Sequence, residues 1–172
     1  MMARRFVLPF IAALVAAIFF AAAPTPAAAR EVVGFSGYPR GTIVVKTSER
    51  RLYFVNSDGS AIRYPVGVGK AGMAWQGRAF VARKLVRPSW GPPLDIWRAN
   101  PNLPARIEGG SPRNPMGERV LGLDRGNYAI HGTNDPSSIG RFVSHGCIRM
   151  FNADIIDLYN RVPVGTPVVV LP

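Results

Sequence analysis

Short β-branched runs separated by turn residues dominate this chain and constrain its fold more than any other feature. Runs of this length with β-branched and aromatic side chains are typical of strands. The turn Asn56-Ser57-Asp58-Gly59 between two such runs predicts a β-hairpin, because an Asp-Gly pair favours the tight turn that joins two strands. The predicted strands cover residues 41–46, 51–55, 61–66, 80–86, 128–131 and 168–171. We therefore expect a mainly β fold.

One segment, residues 152–160, has a clear helical pattern. Asn152 can cap this helix, and Asp154 lies in its first turn, where a negative charge is favourable. The apolar side chains of Ile155 and Tyr159 are four residues apart and can face the core together. The proline and glycine that follow then end the helix and lead into the last strand.

Between Arg87 and Gly117 the chain changes character, because seven prolines interrupt it. Proline lacks the N–H donor that a continuous strand ladder requires. Long irregular segments inside a compact domain are usually functional. We expect residues 87–117 to form a lid or wall over a cleft, with one helical turn near Leu94 to Arg98.

The first 29 residues have the pattern of a secretory signal peptide. Arg4 and Arg5 precede an apolar run at residues 6–23, and Ala27-Ala28-Ala29 then provides a small-residue cleavage site. An uncleaved membrane anchor is the alternative, since the run approaches the roughly 18 to 20 residues that a span needs. We expect an exported protein of the periplasm or cell envelope, with a short N-terminal segment at 30–40 and one domain at 41–172.

The chain is strongly basic, with a formal net charge of +11. The predicted signal peptide carries only Arg4 and Arg5, so removing it leaves a charge of +9. In an exported protein this charge favours anionic cell-wall or lipid partners over nucleic acid, and we expect no nucleic-acid partner. The bases are scattered along the chain, so a solvated basic surface is the simpler alternative.

The chain has one cysteine, Cys147, and both of its histidines, His131 and His145, lie within sixteen residues before it. Exported proteins normally pair their cysteines or omit them, so a single thiol is a candidate reactive group. A thiol attacks a carbonyl as the thiolate, and an adjacent imidazole can lower its pKa and accept its proton. Either histidine is compatible with that role from the sequence alone.

The residues around Cys147 suggest how an acyl intermediate would be held. Gly146 lets the chain bend, and the N–H groups of Gly146 and Cys147 are candidate oxyanion donors. Arg149 lies two positions further on and can bind a substrate carboxylate, although an ion pair with Asp154 or Asp157 is the structural alternative.

Five further residues are candidates for the site or the cleft. Ser144 precedes His145 and Gly132 follows His131, and the hydroxyl of Ser144 either contributes to the site or satisfies backbone groups in a turn. Tyr128, Trp90 and Trp75 are aromatic candidates for the cleft wall, although such residues are more often part of a core.

A zinc site is an alternative to the nucleophile, because one cysteine and two histidines form a known catalytic ligand set. The chain has no second cysteine and no His-Glu-x-x-His motif, so we expect no metal. No Ser-x-x-Lys and no Gly-x-Ser-x-Gly motif occurs either, which speaks against a serine enzyme.

The motif around the cysteine resembles the L,D-transpeptidase catalytic domain of bacterial cell-wall enzymes. It consists of Ser144-His145-Gly146-Cys147-Ile148-Arg149-Met150, preceded by His131-Gly132. The resemblance covers residues 41–172 and includes further matching segments. These are Tyr64-Pro65-Val66-Gly67-Val68-Gly69-Lys70, Pro88-Ser89-Trp90, Asn114-Pro115-Met116-Gly117 and Gly165-Thr166-Pro167-Val168.

The chain departs from the family pattern at one place. Members of the family usually carry a Thr-Pro-x-Gly turn after the Gly-Lys strand, whereas this chain has Ala74-Trp75-Gln76-Gly77. The departure bears on the cleft floor or on substrate preference, and leaves the nucleophile unaffected.

The resemblance implies a mainly β fold, a mixed and largely antiparallel sandwich with one or two short helices. It implies that Cys147 attacks the carbonyl between the third residue of a stem peptide, diaminopimelate or lysine, and a terminal D-alanine. His131, oriented by the Gly132 carbonyl, would be the general base. His145 would line the acyl pocket, and Arg149 would help to bind and orient the substrate.

The resemblance also implies the partners, which are peptidoglycan tetrapeptide stems as donor and acceptor, with no cofactor. The amine of a second stem would resolve the thioester into a 3→3 cross-link. Water as acceptor would give an L,D-carboxypeptidase, and a lipoprotein lysine would give a wall-anchoring transferase. A wall-binding protein without turnover is the non-enzymatic alternative, but binding alone does not require a nucleophile. The oligomeric state does not follow from the sequence.

Overall fold

Strands account for most of the secondary structure in the computed structural model, which describes residues 30–57 and 59–172. The strands are β1 (Glu31–Gly34), β2 (Ile43–Lys46), β3 (Arg51–Ser57), β4 (Ser60–Pro65), β5 (Val68–Gly69), β6 (Gly77–Val86), β7 (Arg119–Leu123), β8 (Ala129–His131), β9 (Phe142–Ser144), β10 (Ile148–Arg149) and β11 (Pro167–Leu171). The helices are α1 (Leu94–Ala99) and α2 (Asn152–Arg161), with a short 3-10 helix at Pro136–Ser138. The prediction of a mainly β fold with short helices is confirmed.

Nine strands form one curled sheet in the order β1-β4-β3-β2-β11-β6-β7-β8-β10, and β5 pairs with β9 in a second, two-stranded sheet. Most pairings in the large sheet are antiparallel, including the predicted hairpin β3–β4. Two pairings in it are parallel, β11 with β2 and β10 with β8. The parallel pairing of β8 with β10 brings the two histidine motifs side by side.

The core lies on both faces of the central strands. All three apolar residues of β2 are fully buried, because Ile43 and Val45 pack into the main core while Val44 faces the opposite side. On that opposite side the N-terminal segment covers the sheet, with the Phe35 ring stacked on Tyr53 at a centroid distance of 4.4 Å. Each such buried side chain contributes roughly 1.5 to 3 kcal/mol to folding.

Helix α2 matches the predicted helix in position but not in its cap. It begins at Asn152, yet the preceding Phe151 is the N-cap residue and no side chain caps it. The Asn152 side chain instead turns back toward the sheet, as described below. At the other end, the Lys84 ammonium donates to the carbonyls of Tyr159 and Val162, both at 2.7 Å. The cap predicted from the sequence was therefore wrong.

Residues 87–117 pack against the sheet without forming a strand ladder. Their one β-bridge joins Trp90 to Ile107, and the helical turn predicted near residue 94 is α1. The buried Asn114 amide holds the segment together, because its Nδ2 donates to the carbonyls of Pro88 at 2.8 Å and Glu108 at 3.1 Å. The segment forms one wall of the cavity described below.

The predicted signal peptide, or membrane anchor, at residues 1–29 lies outside the described residues. Within the described ranges, no helix has the length and apolar character to span a bilayer. Of the predicted N-terminal segment at 30–40, residues 31–34 form β1, which pairs with β4 at the edge of the large sheet.

Candidate active site

A cavity of about 560 Å³ opens where β8 and β10 meet the wall formed by residues 87–117. Most of the residues predicted for the site line this cavity, and the two predicted glycines, Gly132 and Gly146, lie in the adjoining backbone. The lining residues among them are Cys147, His131, His145, Arg149, Ser144, Tyr128 and Trp90. The fold therefore brings together groups that are up to 59 positions apart in sequence, counted from residue 90 to residue 149.

The strand register sets the spacing of the reactive groups. In the parallel pair β8–β10, Arg149 lies opposite His131. Cys147 precedes Arg149 by two residues, an offset of about 6.6 Å along a strand. The Cys147 thiol contacts the Asn127 carbonyl, with 3.8 Å between Sγ and the oxygen. Among the described residues, the thiol forms no hydrogen bond with a histidine nitrogen.

His131 is held in one orientation at the end of β8. Its side chain is buried, and its Nδ1 lies 2.6 Å from the Gly132 carbonyl oxygen. A carbonyl oxygen only accepts hydrogen bonds, so Nδ1 carries the proton and donates it. The neutral ring therefore has an unprotonated Nε2, the form that a general base requires.

The pKa of His131 is lowered to about 4, mainly because burial disfavours the charged imidazolium. The nearby carbonyl groups of Gly132 and Pro115 oppose the shift, while the Arg149 charge acts in the same direction as burial. The imidazole is therefore neutral at pH 7 and available as a proton acceptor.

The lowered pKa of His131 predicts that acid destabilises the protein. In the unfolded chain an imidazole titrates near 6.5, so between about pH 6.5 and pH 4 the unfolded chain binds more protons than the folded one. Stability should fall across that window as the pH is lowered, by up to roughly 3 kcal/mol from this group. Urea unfolding of the wild type and of His131→Gln should diverge across the window, and parallel curves would contradict the shift.

The Cys147 thiol is not activated at rest. Burial raises its pKa, while the Ala129 backbone N–H and the Arg149 charge act in the lowering direction. The sequence predicted that an imidazole would lower this pKa, but no histidine contributes to the shift. The thiol instead contacts the Asn127 carbonyl, and the Ala129 backbone N–H and the Arg149 charge are the groups that favour its thiolate.

The raised pKa of Cys147 predicts slow alkylation at neutral pH. Iodoacetamide reacts with the thiolate, so its rate should rise with pH through an inflection above the ordinary thiol value of about 8.5. Arg149→Gln should move the inflection to still higher pH, because it removes a charge that favours the thiolate. Intact-mass kinetics measure both effects. An inflection below 8, or one that Arg149→Gln leaves in place, would contradict this assignment.

Arg149 has no carboxylate partner within the described part of the chain. The alternative ion pair with Asp157 is not formed, because Asp157 binds Arg161 at 2.9 Å and Arg30 at 3.5 Å. Asp154 is buried and forms no ion pair with Arg149 either. The guanidinium therefore remains available to an anionic group in the cavity.

Ser144 organises the backbone of the cysteine loop. Its hydroxyl donates to the Cys147 carbonyl at 2.6 Å and accepts from the Gly146 N–H at 3.1 Å. Gly146 has a φ of +114°, and a Cβ there would overlap the Tyr128 ring. The sequence predicted the N–H groups of Gly146 and Cys147 as oxyanion donors. Because the Gly146 N–H donates to the Ser144 hydroxyl, the Cys147 N–H is the one of the two that can bind an oxyanion.

Asn152 is a residue of the site that the sequence placed only as a helix cap. Its Oδ1 accepts from the N–H groups of Glu118 and Thr133, at 3.1 and 3.2 Å, and its Nδ2 donates to the Thr133 carbonyl at 3.0 Å. Through these bonds it holds the chain next to Gly132, whose carbonyl orients His131. No local sequence signal distinguishes this role from capping, because the partners are at least 19 positions away.

Trp75 is buried and does not line the cavity, so its prediction as a cleft residue was wrong, and the sequence did not reveal the role that it has. The indole N–H donates to the Gly146 carbonyl at 3.0 Å, and the ring stacks on Tyr128 at a centroid distance of 5.2 Å. The departure from the family turn was the signal that could have pointed to it.

No group of three or more histidine, cysteine, aspartate or glutamate side chains within residues 30–57 and 59–172 is arranged to hold a metal ion. The two histidines and the cysteine share the cavity without converging on one point.

The family model of the L,D-transpeptidase catalytic domain, YkuD, matches residues 40–170. The probable L,D-transpeptidase ErfK/SrfK of Escherichia coli K12 is 40% identical over 141 residues, which are 77% of this chain and 44% of that protein. The chain thus spans less than half the length of this curated relative.

Two solved structures share the fold. L,D-transpeptidase 3 of Mycobacterium tuberculosis, solved with a faropenem-derived adduct, has a TM-score of 0.57 at 18% identity and covers 76% of this chain and 60% of its own. A Brucella melitensis protein is 40% identical with a TM-score of 0.57, covering 86% of this chain and 96% of its own. It is named a probable carnitine operon oxidoreductase, unlike the other relatives. The match of the family model across residues 40–170 shows that the chain belongs to the L,D-transpeptidase catalytic domain family.

Proposed function

We propose that this protein is a cysteine acyltransferase that forms 3→3 cross-links between peptidoglycan stem peptides. The observation that carries the proposal is that Cys147, His131 and Arg149 line one cavity, with His131 oriented so that Nε2 accepts a proton. The names of relatives such as ErfK/SrfK support the same activity.

In the first step, the Cys147 sulfur attacks the carbonyl carbon between the third residue of the donor stem and its terminal D-alanine. The S–C bond forms, and His131 Nε2 accepts the thiol proton. The C–N bond then breaks, and the same proton passes to the amine of the leaving D-alanine. The product is a thioester on Cys147.

The two pKa shifts define how this step begins. A raised pKa for Cys147 and a lowered pKa for His131 keep both groups neutral at pH 7. Proton transfer then accompanies attack instead of preceding it. In the described residues the thiol contacts the Asn127 carbonyl and forms no hydrogen bond with a histidine nitrogen, and catalytic hydrogen bonds often tighten only when substrate is bound.

In the second step, the side-chain amine of an acceptor stem attacks the thioester. His131 Nε2 takes the amine proton, the new amide C–N bond forms, and the proton returns to the departing sulfur. Arg149 binds a stem carboxylate, since its guanidinium lines the cavity without a carboxylate partner among the described residues. His145, Tyr128 and Trp90 form the walls against which the acyl chain lies.

Such a substrate requires a location outside the cytosol. Residues 1–29 would provide export as a cleaved signal peptide, and the net charge of +9 that remains after cleavage suits an anionic wall. If the apolar run at residues 6–23 stayed uncleaved, it would anchor the same domain at the membrane surface.

Purified disaccharide-tetrapeptide incubated with the protein tests the proposal. We expect release of D-alanine and a cross-linked dimer, identified by mass and by fragmentation of the 3→3 bond. Formation of tripeptide without dimer would show that the protein hydrolyses its substrate and is an L,D-carboxypeptidase instead of a transferase. A conjugate between the stem tripeptide and a lysine-ended lipoprotein peptide, formed when that peptide is added as the acceptor and without any stem dimer, would indicate wall anchoring. Binding of the tetrapeptide with neither product would favour the wall-binding alternative and sink the proposal.

A further inference from the structure

Trp75 is fixed by three contacts behind the cysteine loop. Its side chain is only 8% exposed and does not line the cavity. One face of the indole stacks on Tyr128 with an interplanar angle of 6°, and the Arg125 guanidinium lies 5.1 Å from the ring centroid. Its N–H donates to the Gly146 carbonyl at 3.0 Å. The indole is thus a rigid donor aimed at one backbone carbonyl.

We propose that Trp75 is a positioning residue that aims the Cys147 N–H at the oxyanion of the acyl-transfer reaction. The Gly146 carbonyl and the Cys147 N–H belong to the same planar peptide unit, in which the C=O and N–H bonds point in opposite directions. Binding the carbonyl oxygen on one side therefore fixes the direction of the N–H on the other. The inference rests on the proposed function, since it concerns the same acylation step.

The loop needs such an anchor because glycine leaves it permissive. Gly146 has a φ of +114°, a conformation that glycine adopts readily but without a steric preference that would hold it. Ser144 fixes the preceding peptide through the Gly146 N–H, and it also binds the Cys147 carbonyl. The peptide between Gly146 and Cys147 has Trp75 as its side-chain partner.

The hydrogen bond from Trp75 to the Gly146 carbonyl arises where this chain departs from the family pattern. Trp75 occupies the position of the proline in the usual Thr-Pro-x-Gly turn, and a proline side chain has no N–H to donate. The substitution therefore supplies a hydrogen bond to the nucleophile loop in place of a rigid turn.

Two covalent reactions of the Cys147 thiol distinguish a role of Trp75 in positioning the Cys147 N–H from a general role in stabilising the fold. A carbapenem acylates the sulfur: the S–C bond forms at the β-lactam carbonyl while negative charge develops on the carbonyl oxygen, and the ring C–N bond then breaks as the thiol proton passes to the ring nitrogen. Iodoacetamide alkylates the sulfur by displacing iodide, and no oxyanion forms. A misdirected Cys147 N–H slows the first reaction and leaves the second unchanged.

The test uses the full chain carrying Trp75→Phe, and a second variant with benzothienylalanine at position 75, which replaces the indole N–H with sulfur and keeps the ring shape. We expect the maximal rate of carbapenem acylation to fall by about 10- to 100-fold, because removing an oxyanion donor outright costs about 10² to 10³. The alkylation rate should change by less than about 3-fold, since oxyanion stabilisation does not enter that reaction. Trp97→Phe, an exposed tryptophan on α1, is the matched control and should change neither rate.

Each outcome decides the proposal. Equal loss of both rates in the benzothienylalanine variant would make Trp75 merely structural, and unchanged acylation would remove it from the mechanism. Should Trp75→Phe fail to fold, the benzothienylalanine variant supplies the comparison, since its volume and stacking are retained. A wild type that is alkylated but never acylated would overturn the proposed function itself, and with it this inference.

Discussion

Replacing Cys147 by alanine is expected to abolish both the carbapenem adduct and the release of D-alanine from tetrapeptide. The sulfur is the one atom in the cavity proposed to form the thioester, and loss of a nucleophile typically costs about 10⁴-fold or more. The fold should be little affected, because the thiol makes weak contacts, one with the Asn127 carbonyl at 3.8 Å and one with the Ala129 backbone N–H. The loss would therefore be chemical and not a consequence of unfolding.

Intact mass after incubation with the carbapenem gives the direct measurement for Cys147→Ala. The wild type should gain the full mass of the drug, since ring opening releases no leaving group. A thermal unfolding curve that overlays that of the wild type is the control for folding. An adduct that persists in Cys147→Ala would place the nucleophile elsewhere and contradict the assignment.

Replacing His131 by glutamine is expected to slow acylation by about 10²- to 10⁴-fold, the usual contribution of a general base. Glutamine preserves much of the volume in this buried position but cannot accept and return the thiol proton. His145→Gln is the matched control, because His145 also lines the cavity but is partly exposed. We expect that variant to lose less than about 10-fold, as a residue that binds substrate without moving the proton.

The two histidine variants decide a question that the sequence left open. The measurement is the acylation rate at saturating carbapenem, and alkylation by iodoacetamide checks that the thiol is still reactive. Together they distinguish the histidine that acts as general base from the one that only contacts the substrate. Equal losses in the two variants would mean that both imidazoles share the role. A larger loss in His145→Gln would reverse the assignment made from the His131–Gly132 contact.

Much of the fold followed from local patterns. Short β-branched and aromatic runs in residues 41–66 predicted β2, β3 and β4, with the hairpin between the last two, and the Asn152 helix appeared within one residue of its predicted end. These elements are determined by short-range periodicity, which a sequence displays directly. The parallel pairing of β8 with β10 is not visible in this way, since it depends on how strands distant in sequence pack together.

The candidate site shows the same division. The chemical identity of the groups was apparent from Cys147, His131 and Arg149 and from their resemblance to a known family. Their mutual geometry was not, as the thiol lies beside Asn127 and its pKa is raised where the sequence predicted a lowered one.

By itself, the sequence predicted which side chains are candidates for catalysis, and it determined that the chain is mainly β and which family it belongs to, because motifs and periodicity are local properties. Tertiary structure decided which partners those side chains have. Asn152 holds the chain beside Gly132 instead of capping its helix, and Trp75 reaches the Gly146 carbonyl from 71 positions away. Such contacts arise from the packing of the whole sheet, and burial then sets the pKa of each group, so neither follows from a residue's neighbours in the chain.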